Sequence, residues 1–388
     1  MDTAFTLGGS TVSNRGGFAD LLFRMEANYL AGRRLGLPLY YEPAASARSG
    51  LDAFDICGFN AAYRSVADRR EGAGAAVPVA MPDVRALAEP DQLAAFDRAL
   101  ASRMAAVGPG ALVSFTFTAP RRHHALHVIR LLGGQPNAPD FRARFDPAGR
   151  LRRDDKNRSY FRTGSVRVAL HVRRGDRAVV PLADGTLVAP WGTRKVQRRP
   201  AKIARRDEAA VNQVSDPVYG EMLAVVIDAL GARAHEVVLV SEGFARAASF
   251  VADQAAPAGF DDTTVAAVSA RAAELDDEMA RFYRAAGADR IVIGEQAGAL
   301  GRVIRTLADA DILISIVGGF AGGVCRYFDE PDRNKIGILN GGSLIGDLPA
   351  YYEAHGGRFV HLLWAGRAGG IRRAAEAVPA LTREMFPA

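Results

Sequence analysis

Short β-type runs alternate with helical patterns from one end of the chain to the other, and that alternation restricts the fold more than any other feature. Strands joined through helices pair side by side in parallel, so the pattern predicts α/β layers around parallel sheets. Ala4–Leu7 reads as a first strand, followed by a Gly/Ser loop over 8–17. A helix then places Phe18, Leu21, Leu22, Met25, Tyr29 and Leu30 on one face. Leu37–Tyr41 and Ala111–Phe117 read as further strands, and Pro120 opens a helix to Leu132. Over 133–163 the pattern breaks into a polar, Pro- and Arg-rich stretch, the best place for a domain junction. It restarts at Val166–Val172, and Asp216-Pro217 opens a helix to about Leu230. Strands follow at Val237–Val240, Arg290–Ile293, Asp311–Ile316, Lys335–Leu339 and Phe359–Trp364. The economical expectation is two Rossmann-like domains, 1–160 and 161–388, facing each other across a cleft.

Composition narrows the class. With 49% apolar and 24% charged residues in 388, the chain is globular and not disordered. The longest apolar run, Ile312 to Val324, has 13 residues with four glycines, too short to span a bilayer. Cys57 and Cys325 are too few for a disulfide framework, and Met1-Asp2-Thr3 lacks the basic head of a signal peptide. A cytoplasmic protein is expected. The net charge of +6 invites a nucleic-acid reading, but four lysines against 45 arginines, with abundant alanine, look like a GC-rich genome. The densest basic stretch, Arg194 to Arg206, has only Trp191 nearby for base stacking, so nucleic acid is not an expected partner. A phosphorylated small ligand accounts for the charge as well, as does peripheral contact with an acidic membrane surface.

The sharpest chemical signal is His171-Val172-Arg173-Arg174-Gly175-Asp176, directly after a strand. Ligands of such sheets bind outside the carboxyl ends of strands, and adjacent guanidiniums suit diphosphate oxygens. A solvated charged turn would carry the same letters. Asn14-Arg15-Gly16-Gly17-Phe18-Ala19-Asp20 puts a glycine pair before a helix, whose exposed N–H groups suit an anion. The spacing is not GxGxxG, which disfavours a dinucleotide dehydrogenase. Gly318-Gly319-Phe320 ends a strand and opens a helix in the same way. Asp309-Ala310-Asp311 imitates a metal-binding DxD, yet Asp311 precedes its strand and so lies at the end remote from ligand. His123 and His127 stand one turn apart without the glutamate of HExxH, and read as a polar helix face. Cys325 reads as a buried small residue, and Asp261-Asp262 and Asp276-Asp277-Glu278 as helix caps or surface. There is no P-loop and no GxSxG turn.

Taken in order, these stretches resemble the α1,6-fucosyltransferase group, which includes the rhizobial nodulation and core fucosyltransferases. The likeness rests on Gly17-Phe18-Ala19-Asp20, His171-Val172-Arg173-Arg174, the strand end Ser241-Glu242-Gly243, and Gly318-Gly319-Phe320. It implies the GT-B architecture, GDP-fucose as donor, inversion at the sugar carbon, a glycan-type acceptor, and no metal or other cofactor. It assigns the diphosphate to Arg173 and Arg174. The rest of the donor pocket falls to Gly17, Phe18, His171, Glu242, Gly318, Gly319 and Phe320. Glycines stand where the family has serines in the last motif, and Pro181 stands where core fucosyltransferases have an acid. The base is left between Asp176 and Asp20. Another nucleotide sugar, or a non-catalytic binding relative, are the alternatives.

Overall fold

The structure is a computed structural model. It describes residues 3–6, 18–40, 76–87, 91–118, 121–135, 137–138, 140–162, 165–174, 178–191, 195–200, 215–253, 260–294, 300–315, 319–339, 346–363 and 367–387. The chain divides into two compact units, residues 1–154 and 155–388. Both are α/β with parallel sheets.

Unit 1 holds β1 (Ala4–Thr6), α1 (Phe18–Arg34), β2 (Leu39–Tyr40), β3 (Val77–Ala80), α2 (Gln92–Met104), β4 (Leu112–Thr116) and α3 (Arg121–Gly133). Its sheet runs β2-β1-β4-β3, parallel throughout. Helix α1 is buried along most of its length and packs on α3. It approaches β1 so closely that a methyl at Gly32 would stand 2.5 Å from the Phe5 ring, which fixes glycine there. The polar stretch before the unit boundary is not a bare linker. It forms α4 (Phe141–Phe145) and α5 (Pro147–Arg153), capped by the Asp140 and Asp146 carboxylates. Apolar anchors explain why: Tyr29 of α1 meets Phe141 and Phe145 edge-on at 5.7 and 5.2 Å.

Unit 2 is built on β5 (Val166–His171), β9 (His235–Ser241), β10 (Arg290–Ile293), β11 (Ile312–Ser315), β12 (Asn334–Leu339) and β13 (Arg358–Leu363). All pair in parallel, in the order β10-β9-β5-β11-β12-β13. Counted along the chain this is 3-2-1-4-5-6, the doubly wound order, whose direction reverses between β5 and β11. A small antiparallel sheet, β6 (Val180–Pro181), β7 (Thr186–Trp191) and β8 (Lys195–Pro200), is inserted after β5. The helices are α6 (Asp216–Leu230), α7 (Gly243–Asp253), α8 (Asp262–Ala285), α9 (Leu300–Asp309), α10 (Phe320–Tyr327), α11 (Leu348–Ala354) and α12 (Arg367–Met385). No helix among the described residues is long and apolar enough to cross a membrane.

Period-two alternation sorts the central strands. Val168, Leu170 and Val172 join Val237, Leu239, Ile312 and Ile314 in one core with Tyr219, Met222, Phe244 and Met279. Each such side chain contributes roughly 1.5–3 kcal/mol by leaving water. The residues between them, His171 among them, face the other way. A buried polar knot ties the α9 end to the sheet: Lys335 Nζ donates to the Leu307 and Ala308 carbonyls at 2.8 and 3.1 Å and to Asp329 at 2.9 Å. Tyr352 completes it, donating its hydroxyl to Asp329 at 2.6 Å.

Candidate functional site

The reversal of strand order puts the carboxyl ends of β5 and β11 side by side, and both strands end in a polar residue. Ile314 pairs with Leu170, so Ser315 stands beside His171. His171 Nδ1 lies 2.8 Å from Ser315 Oγ, a hydrogen bond whose direction follows the ring's tautomer. The imidazole also packs against Phe320, with ring centroids 5.5 Å apart. Burial holds its pKa below the ordinary histidine value; the Glu242 carboxylate opposes that shift and the Arg173 charge adds to it. His171 is thus a neutral, oriented ring near neutral pH, with Arg173 close enough for its charge to be felt.

The adjacent arginines do not do the same thing. Arg173 is half-buried. Arg174 is 1% exposed and lies on the core side, where Asp216 Oδ1 accepts from its Nη2 at 2.5 Å. Tyr283 donates to that same oxygen at 2.8 Å, and the guanidinium lies over the Phe244 ring, 5.4 Å from its centroid. Its Nη1 turns back to the Arg173 carbonyl at 3.1 Å, and its backbone N–H reaches Glu242 Oε2 at 3.3 Å. The resemblance assigns both guanidiniums to one diphosphate; in the structure the Arg174 guanidinium is taken up in the core by Asp216, just past the end of β5.

Three helices open near this end of the sheet, and two of them are already supplied with a carboxylate. Asp216 occupies the first turn of α6. The Asp276 carboxylate sits on the start of α7, accepting the Phe244 and Ala245 N–H groups at 2.6 and 2.9 Å. Burial pushes the Asp276 pKa up while those two N–H groups pull it down. The turn beneath requires glycine: Gly243 has φ +76, and a methyl there would stand 2.8 Å from Ile293 and 2.9 Å from Asp276. Helix α10 differs. It starts from Gly319, which has no side chain to cap it, and its own first turn carries no acid.

Of the residues the sequence singled out, His171, Arg173, Arg174, Glu242, Gly319 and Phe320 gather at the ends of β5, β9 and β11. Phe18 and Asp20 belong to unit 1, in the first turn of α1, where the Asp20 carbonyl accepts from Arg24 Nε at 3.1 Å. Gly17, Asp176 and Gly318 lie outside the described residues. The DxD pair is at the opposite end of the sheet and held by arginines. Asp309 takes Arg305 at 2.6 Å, and Asp311 takes the Arg167 N–H at 2.8 Å and the Arg333 guanidinium. His124 is a satisfied core histidine: Nδ1 accepts the Thr118 N–H at 3.2 Å and Nε2 donates to the Pro82 carbonyl at 2.8 Å. Cys325 is buried, which pushes its thiol pKa well up. Asp216, Tyr283, Asp276 and Ser315 were not anticipated as parts of the site. Asp216 carried a local signal, as the opening of a helix before Pro217, and Asp276, read from the sequence as a helix cap or surface residue, caps α7.

No described protein family, characterised protein or solved structure matches the chain.

Proposed function

We propose that the chain is an inverting, metal-independent glycosyltransferase that moves fucose from GDP-fucose to a hydroxyl of a glycan or glycoconjugate. The observation that carries this proposal is the junction of β5 and β11. A buried, oriented His171, the Arg173 charge and an α10 N-terminus whose own first turn carries no acid converge where a doubly wound sheet binds its ligand. On this reading the two units are the halves of a GT-B arrangement in the cytoplasm, unit 1 receiving the acceptor and unit 2 the donor.

The roles follow from charge. Departure of GDP develops negative charge on its terminal phosphate, which Arg173 and the N–H groups around Gly318, Gly319 and Phe320 stabilise. Fixed cations and helix N-termini replace a divalent ion here, since Asp309 and Asp311 are engaged by Arg305, Arg167 and Arg333. Glu242 follows the second strand in topological order, the place from which an acid bonds ribose hydroxyls. His171 lines the nucleotide pocket beside it, and the resemblance adds Gly17 and Phe18 to the residues that bind the donor. The acceptor oxygen attacks the anomeric carbon as the bond to phosphate breaks, and its proton passes to Asp176 or Asp20.

Titration with GDP, UDP and CDP, followed by turnover of GDP-fucose, tests the assignment. GDP is expected to bind most tightly and GDP-fucose to be consumed. A preference for UDP or CDP replaces the donor, and tight GDP binding with no turnover identifies a non-catalytic relative.

A further inference from the structure

Arg174 is a large cation in the core of unit 2, and every contact of its guanidinium described above goes to the protein itself. Asp216 binds one end of it, and Tyr283 holds Asp216 from α8. The other end bonds to the carbonyl of the preceding residue, Arg173. That bond holds the peptide between the two arginines, just past the end of β5. The Arg174 N–H fixes Glu242 from the same peptide.

We infer that Arg174, Asp216 and Tyr283 form a buried clamp that positions Arg173 for the phosphates of the ligand. The clamp touches no ligand; Asp216 and Tyr283 are positioning residues that act through Arg173. This makes adjacency in the sequence a division of labour, with one guanidinium for the ligand and its neighbour for aim. The inference rests on the assignment of this strand end to a nucleoside diphosphate.

A double-mutant cycle on GDP affinity separates the two ideas, because residues acting only through Arg173 lose their effect once Arg173 is gone. Asp216→Asn and Tyr283→Phe are chosen because they keep shape and leave Arg174 in place; Arg174→Ala alone could simply unfold the unit. Thermal melting confirms that each variant is folded. Arg173→Ala is expected to weaken GDP about 100-fold, Asp216→Asn about tenfold and Tyr283→Phe about threefold. The doubles Arg173→Ala/Asp216→Asn and Arg173→Ala/Tyr283→Phe are expected to bind as Arg173→Ala alone does, within about twofold. Additive losses in the doubles overturn the clamp, as does unchanged GDP affinity in a folded Asp216→Asn. Failure of the unmutated protein to bind GDP, UDP or CDP overturns the site assignment itself, and it is recognised without any variant.

Discussion

His171 Nδ1 and Ser315 Oγ are 2.8 Å apart, a bond that ties the last residues of β5 and β11 where the strand order reverses. It holds a buried histidine in one orientation at the point where a doubly wound sheet meets its ligand. The price of burying it is paid in acid.

Burial sets the folded pKa of His171 below its unfolded value of 6.5. As pH falls through 6.5 the unfolded chain binds a proton that the native state refuses, so stability is full above that value and declines below it. The slope is at most about 1.4 kcal/mol per pH unit for one such group. Denaturant melts of wild type and His171→Gln between pH 7.5 and about pH 5 check this. The variant should lose less stability than wild type over that range; parallel curves would remove His171 as the source.

Asp276 caps α7 from another helix through two backbone N–H groups. Asp276→Ala should cost about 1–2 kcal/mol, the usual loss for an N-cap side chain, while Asp276→Asn keeps one acceptor and costs less. Thermal melts give the order. Equal stability of all three proteins would show that the carboxylate does not matter to the fold.

Lys335 and Asp329 are both buried and 2.9 Å apart. Burial pushes the Asp329 pKa up, and Lys335 and the Tyr352 hydroxyl oppose that shift. Lys335→Met should destabilise by about 3–5 kcal/mol because it strands a buried carboxylate. Adding Asp329→Asn to it should recover part of that loss, since the charge is then gone; urea denaturation of the single and double variants measures both.

Much of the fold is legible in the letters. Short apolar runs marked each strand of the six-stranded unit 2 sheet, and Asp216-Pro217 marked the start of α6. Strand polarity alone placed the DxD pair at the far end, since Asp311 precedes β11. What was missed has physical causes. Val77–Ala80 carries Pro78, which argues against a central strand; β3 is an edge strand, where a missing N–H is tolerated. The β7–β8 hairpin is hidden by Pro190, Pro200 and its run of arginines. The clamp on Arg174 depends on partners 42 and 109 residues away, at Asp216 and Tyr283, a proximity that only the packed helices create.

The most direct measurement is a calorimetric titration of wild type and Arg173→Ala with GDP in excess EDTA. Wild type should saturate without any divalent ion, and Arg173→Ala should bind about 100-fold more weakly, a loss of roughly 2.7 kcal/mol. Binding that requires added magnesium or manganese, or equal affinity in the two proteins, would contradict a phosphate site built from Arg173 and the α10 N-terminus.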